Sequence, residues 1–306
     1  MTINIRRLQE IDLEEADHIF RLAFGTFLGL PDPMQFAAGA NIVGTRWRAN
    51  SHNVVLGAYD GVRLVGSNII TRWGSFGMFG PLTVLPDYWD KGVGQLLMAS
   101  TIAKFAQWEV DTAGLFTFPH STKHLGLYQK FDFWPQRLTA IMVKPVHAVS
   151  PHAPPLRGEG QNLLRQAKAI TDANFPGLDL SEEILALWDQ NMGELVVVEE
   201  HGAIAAFAIC HAGSGTEAGP DKLLIKFAAT LPGRQEHFSK LLAACEGAAA
   251  RLGLSTVAAG INTTCSEAYQ TALGLGYRLQ MTGVAMHRGN AAGYFAKNAF
   301  VISDWR

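Results

Sequence analysis

Val84-Leu85-Pro86-Asp87-Tyr88-Trp89-Asp90-Lys91-Gly92-Val93-Gly94-Gln95-Leu96-Leu97 joins two different patterns. Residues 75–84 before it read as a strand. After it, Leu96, Ala99, Ala103, Ala106 and Val110 recur at helical spacing, which predicts a helix over about 92–111. A glycine pair at such a junction lets the backbone approach an anion closely. The first amides of a helix have no intrahelical acceptor and are free for a ligand. The helix dipole adds roughly 0.3–1 kcal/mol, up to about 2 when shielded. Lys91 adds a point charge, and a pyrophosphate suits the whole. The plainer alternative is that Gly92 and Gly94 only shape the turn. Two other phosphate loops are excluded: no Lys-Ser/Thr pair follows, and Leu97 stands where a dinucleotide fingerprint has its third glycine.

Working outward, residues 3–7 read as a strand, 13–23 as a helix with acids near its start, and 34–48 as another helix. Residues 53–59 and 63–72 form a hairpin about Asp60-Gly61. Residues 115–118 read as a strand, 122–130 as a helix and 133–143 as a strand pair. Much of this order returns later: a hairpin 195–200 and 203–212, a strand 223–230, an amphipathic helix from Phe238 to Leu252, a strand 255–260, a helix 266–273 and strands 277–287. The repeat suggests internal duplication. Four prolines and two glycines in 144–160 mark a linker. The expected plan is α/β (α+β): one domain over 1–146, a Pro-rich linker over 147–160 and a degenerate copy over 161–306. The 306 residues fit two domains.

Val84-x-Pro86, five residues, then Gly92-x-Gly94 before an apolar helix resembles the acyl-CoA loop of the GNAT N-acetyltransferases. Leu127-Tyr128-Gln129-Lys130-Phe131-Asp132-Phe133 is similar to that family's late helix, which ends Tyr-x-x-x-Gly-Phe. The whole chain resembles bacterial tandem GNAT proteins ending Asp-Trp-Arg, here Asp304-Trp305-Arg306. The fold implied is two tandem GNAT-like domains, each a mixed central sheet flanked by helices. The cofactor implied is acetyl-CoA or another acyl-CoA. The backbone of Leu82, Thr83 and Val84 would pair with the pantetheine arm as an added strand does. The amides of Asp90, Lys91, Gly92, Val93, Gly94 and Gln95 would hold the pyrophosphate. Tyr128 would protonate the departing thiolate, a role open to a neutral phenol. The sequence departs from the family pattern at Trp89, where Arg or Gln is usual, at Asp90, where Gly is frequent, and at Ser121, where Asn is usual.

An alkylamine acceptor with a lysine-like pKa is neutral in roughly one molecule in a few thousand at pH 7. A general base therefore contributes about 10²- to 10⁴-fold. Many GNAT enzymes carry a Glu on the strand before the loop, but 75–81 holds no carboxylate. His120 and His124 are the candidate bases, with capping or packing as their structural alternatives. Their four-residue spacing suits one face, but no third ligand lies at metal spacing, so no metal is expected. Trp47, Trp73, Phe76 and Phe79 are candidates for an acceptor pocket or for core.

In the second half, aligning Leu96-Leu97 with Leu241-Leu242 puts His237 on Gly92 and Ser239 on Gly94. Ala272 falls on Tyr128, and Tyr269 lies about a turn early. The anion loop and the proton donor are both lost there. No first strand is evident over 145–193, which suggests that one half supplies a strand to the other.

A net charge of −2 with no basic run excludes a nucleic-acid partner. No run of about 18 apolar residues suggests a membrane span. Acids at 10–17 break any secretory pattern, and three cysteines without CxxC spacing argue against a disulfide framework. The expectation is a cytoplasmic N-acyltransferase acting on a small-molecule or peptide amine. The alternative is a non-catalytic acyl-CoA sensor or interaction module.

Overall fold

A computed structural model describes residues 2–110, 112–146, 160–303 and 305. The first half runs β1 (Ile3–Arg7), α1 (Leu13–Phe27), α2 (Ile42–Arg48), β2 (Asn53–Asp60), β3 (Arg63–Trp73), β4 (Phe76–Val84), α3 (Val93–Gln107), β5 (Thr112–Thr117), α4 (Thr122–Gln129) and β6 (Phe133–Pro145). The second runs α5 (Gly160–Asn174), α6 (Ser181–Asp189), β7 (Gly193–Glu200), β8 (Ala203–Ala212), β9 (Lys222–Thr230), α7 (Gln235–Arg251), β10 (Thr256–Asn262), α8 (Ser266–Gly274), β11 (Arg278–Arg288) and β12 (Val301–Ser303). The linker residues 147–159 and the terminal Asp304 and Arg306 lie outside the described residues.

Three expectations change. Residues 34–48 are not one helix. A 3-10 turn at Pro33–Gln35 is followed by positive φ at Ala37 and Gly39, and α2 starts only after Asn41, whose side chain accepts from the Gly44 amide. Residues 133–143 belong to one long strand rather than two, and 277–287 likewise give one strand, Arg278–Arg288.

All twelve strands belong to one sheet, ordered β1-β2-β3-β4-β5-β11-β6-β10-β9-β8-β7, with β12 on β9. The halves exchange their last strands. β11 of the second half lies antiparallel to β5, and β6 of the first lies antiparallel to β10. β6 and β11 pair with each other across the middle. Neither half completes its sheet alone. No strand precedes β7 among the described residues of the second half, whose entry is taken by α5 and α6. The exchange at the last strand, rather than a shared first strand, is what joins the halves.

Among the described residues the parallel pairs are β4–β5 and β9–β10, and both splay. β4 pairs with β5 through Phe76–Met78, leaving residues 79–84 without a paired strand on that side among the described residues. β9 pairs with β10 only over 222–225. Here the chain fills its own wedge: β12 lies antiparallel on Phe227–Ala229. The hydroxyl of buried Tyr294 donates to Ser303 Oγ and accepts from the Trp305 indole, fixing the segment. Among the described residues nothing pairs in the first wedge.

The seam is polar as well as apolar. The Asn41 amide donates to Thr216 O, and the Gly215 amide to Gly39 O, each at 2.9 Å. Beneath them, Arg46 meets Glu217, Lys226 meets Glu217 and Glu183, and Glu183 meets His52, all buried. Trp73, Phe76 and Met78 of the first half belong to the core of the second. Among the described residues no helix is long and apolar enough to cross a membrane.

Candidate active site

The open wedge leads into a cavity of about 940 Å³. Its outer end is the loop read first in the sequence. Gly92 has φ +82°, a left-handed conformation that glycine adopts without a Cβ penalty, and it caps α3. A Cβ on Gly94 would lie 3.3 Å from Leu127 Cδ2, so the second glycine allows close packing of α3 on α4. The amides of Gln95 and Leu96 donate to Gly92 O. Those of Asp90, Lys91, Gly92, Val93 and Gly94 have no hydrogen-bond acceptor among the described residues. Five donors are therefore presented together. The Gln95 amide, counted with them in the sequence reading, is already used by the turn. Its residue still lines the cavity.

Asp90 and Lys91 sit differently from expectation. Asp90, at φ +62°, turns its carboxylate outward to Lys123 Nζ at 2.8 Å, with the side chain 80% exposed. Lys91 Nζ lies 5.2 Å from the Tyr88 ring centroid and does not line the cavity. Trp89 folds back, its indole N–H donating to Val84 O at 2.8 Å. It braces the end of β4 where the family pattern has a phosphate-facing residue.

Leu82, Thr83 and Val84 line the cavity from the open edge of β4. The Thr83 hydroxyl is paired with Ser67 Oγ at 3.0 Å, so the backbone rather than this side chain is what the edge offers. Just before them the β3–β4 register shifts at Gly80 and Pro81, and the bulge aims Gly80 O at Arg46 Nη1, 2.8 Å away.

Tyr128 stands at the inner end, on α4, its ring edge-on to Phe79 at 5.7 Å. It lines the cavity, and its hydroxyl has no hydrogen-bond partner among the described residues. Burial raises the phenol above its ordinary value of 10.0, so it stays protonated at neutral pH. A buried neutral phenol beside an open strand edge is equipped to donate a proton.

The two histidines separate. α4 begins at Thr122, capped by Ser121 Oγ, which accepts from the His124 amide at 3.4 Å. His120 precedes the helix, is exposed, stacks on Phe27 at 5.9 Å and does not line the cavity. Ser121 is a buried cap and does not line it either. His124 does, one turn from Tyr128, with its ring centroid 6.5 Å away. Its Nδ1 is buried without a partner among the described residues. Burial, then Lys123 and His120, lower its pKa and keep the imidazole neutral. Of the pair, His124 has the placement of a base.

Of the four aromatic candidates, Trp73 and Phe79 line the cavity. Phe76 is core against Tyr294, and Trp47 donates to Leu8 O. The larger aromatic wall escaped the sequence reading. Phe20, Phe24 and Phe27 follow one another at helical spacing on α1 and meet Phe36 and Phe118. That i, i+4, i+7 spacing was available as a signal. Arg46 and Glu217, which close the far end, carried none, because 171 residues separate them.

The described residues of the second half form no comparable site. His237, on α7 near its start, is buried against Glu200 at 3.3 Å, and Ala272 is fully buried. β12 occupies the wedge.

Residues 17–133 match the acetyltransferase (GNAT) family. This part of the chain belongs to that family. The GNAT likeness in fold extends further. A Pyrococcus horikoshii protein provisionally named an acetyltransferase aligns over 99% of this chain and 95% of its own, with TM-score 0.71 at 16% identity. A GCN5-related N-acetyltransferase from Sphaerobacter thermophilus aligns over 94% and 95%, with TM-score 0.54 at 14% identity. The GCN5-related glucosamine N-acetyltransferase region of a fungal multi-domain β-N-acetylglucosaminidase covers 94% of this chain and 38% of its own, with TM-score 0.65 at 14% identity. The chain thus has the fold of two tandem GNAT-like units. No curated protein matches it.

Proposed function

We propose that this protein is an N-acyltransferase that takes its acyl group from acetyl-CoA or another acyl-CoA, with its chemistry in residues 1–146. The carrying observation is the line from five unpaired amides at 90–94, along the free edge of β4, to the Tyr128 hydroxyl. A pyrophosphate on the amides and a pantetheine along residues 82–84 bring a thioester to Tyr128. The lining also favours an anionic cofactor: Arg46, Lys123, Lys130, Lys222 and Lys226 face only two carboxylates, Asp90 and Glu217.

The acceptor nitrogen attacks the thioester carbonyl, a C–N bond forms and the C–S bond breaks. The Tyr128 phenol protonates the leaving thiolate, and His124 accepts the proton shed by nitrogen. In this reading residues 161–306 are a degenerate copy that completes the sheet and closes the acceptor end.

The test is release of free thiol from acetyl-CoA over a panel of amines, with calorimetric binding of CoA alongside. Tyr128→Phe should lower kcat by roughly 10²- to 10⁴-fold with CoA affinity unchanged. Unaltered turnover would remove Tyr128 from the mechanism. CoA binding with no turnover on any amine would favour the sensor reading, which the lack of a carboxylate on β4 motivates.

A further inference from the structure

We infer that the acceptor site takes a weakly basic aromatic amine, its ring against the phenylalanine wall of α1 and its nitrogen toward His124 and Tyr128. This rests on the acyl-CoA reading above. The wall is a connected set of rings. Phe24 stacks on Phe36 at 5.0 Å and contacts Phe118 at 6.2 Å, and Phe27 lies 5.1 Å from Phe118 and 4.9 Å from His124. Phe24, Phe27 and Phe36 are only half-buried and line the same cavity as Tyr128. A planar apolar body gains offset-stacked and edge contacts on such a surface. The wall ends at His124, so a ring seated there carries its substituent to the reacting end.

Charge selects the kind of amine. A desolvated alkylammonium is best balanced by an unpaired carboxylate. Glu217, the carboxylate at the acceptor end of the lining, has Oε1 occupied by Arg46 Nε at 3.0 Å and Lys226 Nζ at 2.6 Å. Its Oε2 is held by Arg46 Nη2 at 2.6 Å. The other lining carboxylate, Asp90, faces solvent and Lys123. The surplus of cationic side chains further disfavours an ammonium. An aromatic amine delocalises its lone pair into the ring and is neutral at pH 7. It needs no counter-ion, and no base to uncover the lone pair before attack. This chemistry also removes the need for the carboxylate that β4 lacks.

The experiment offers the full chain 4-ethylaniline, 2-phenylethylamine, n-hexylamine and spermidine with acetyl-CoA and reads thiol release. The expected result is a kcat/KM for 4-ethylaniline at least about tenfold above each of the others, since one decade is about 1.4 kcal/mol of selective stabilisation. Equal or better turnover of any aliphatic amine overturns the acceptor class and leaves the acyl-CoA reading standing. Calorimetry separates the remaining cases. Failure to bind CoA defeats the acyl-CoA reading, and failure of 4-ethylaniline to bind the CoA-loaded protein defeats the acceptor class. Phe24→Leu and Phe36→Leu keep apolar volume but lose the ring face. Each should raise KM for 4-ethylaniline several-fold and leave CoA affinity unchanged, and an unmoved KM in both counts against the wall.

Discussion

Arg46 of the first half grips Glu217 of the second through two hydrogen bonds, Nε to Oε1 at 3.0 Å and Nη2 to Oε2 at 2.6 Å. Both side chains are at most 5% exposed. Burial alone would raise the Glu217 carboxyl, but Arg46 and Lys226 hold it well below the usual range. Lys226 passes the network on to Glu183, which also accepts from the Trp73 indole. Glu217→Ala would leave Arg46 and Lys226 short of an anion at the seam. Removing one partner of a buried pair costs about 3–5 kcal/mol. A urea unfolding midpoint within error of the parent's would show that the pair does not hold the halves together.

The anion loop makes a local prediction. Gly92→Ala forces an alanine to φ +82°, at a cost of roughly 1–2 kcal/mol. The backbone at Gly92 relaxes and the five amides lose their common aim. CoA affinity should fall about tenfold for each 1.4 kcal/mol by which binding to the amides weakens. Titration calorimetry on parent and variant measures this, and unchanged affinity would place the pyrophosphate elsewhere.

The second wedge should bind nothing. β12 supplies the strand that a pantetheine would otherwise provide, and His237 packs near the start of α7. Calorimetry with CoA should give one site per chain. Two sites would contradict the closed second wedge.

Stability should fall on the acid side before the carboxylates titrate. His211 is fully buried, and both ring nitrogens lack partners among the described residues. Burial first, then Lys226, depress its pKa to about 4, partly opposed by Glu217 and Glu183, with Arg46 adding the least. The unfolded chain takes up this proton near pH 6.5, and the folded chain only near 4. The stabilisation is therefore whole above about pH 6.5 and is lost as pH falls toward 4, at up to about 1.4 kcal/mol per pH unit. His124 and His287 shift in the same direction. Unfolding midpoints between pH 7 and 5 give the slope, and His211→Gln should flatten it.

Residues 1–146 alone should not make a folded enzyme. They leave β5 without β11 and β6 without both its neighbours. Exposed edges of this length aggregate. A soluble fragment with sharp near-UV circular dichroism and thiol-releasing activity would refute this.

The Pro86–Gln95 loop, the long helix after it, the Tyr128 motif and the repeated element order were legible in the sequence because each rests on local patterns. Glycine spacing, 3.6-residue periodicity and a short motif need no distant partner to be read. The loss of the loop and tyrosine in the second half was legible for the same reason. Residue types alone could not show that Gln95 spends its amide on Gly92, or that α4 starts too late to take His120 with it. Those follow from backbone hydrogen bonds at two helix starts. The strand exchange, the β12 plug and the Arg46–Glu217 closure belong wholly to the tertiary structure. They join residues far apart in sequence, and only the whole sheet decides which unpaired edge each strand completes.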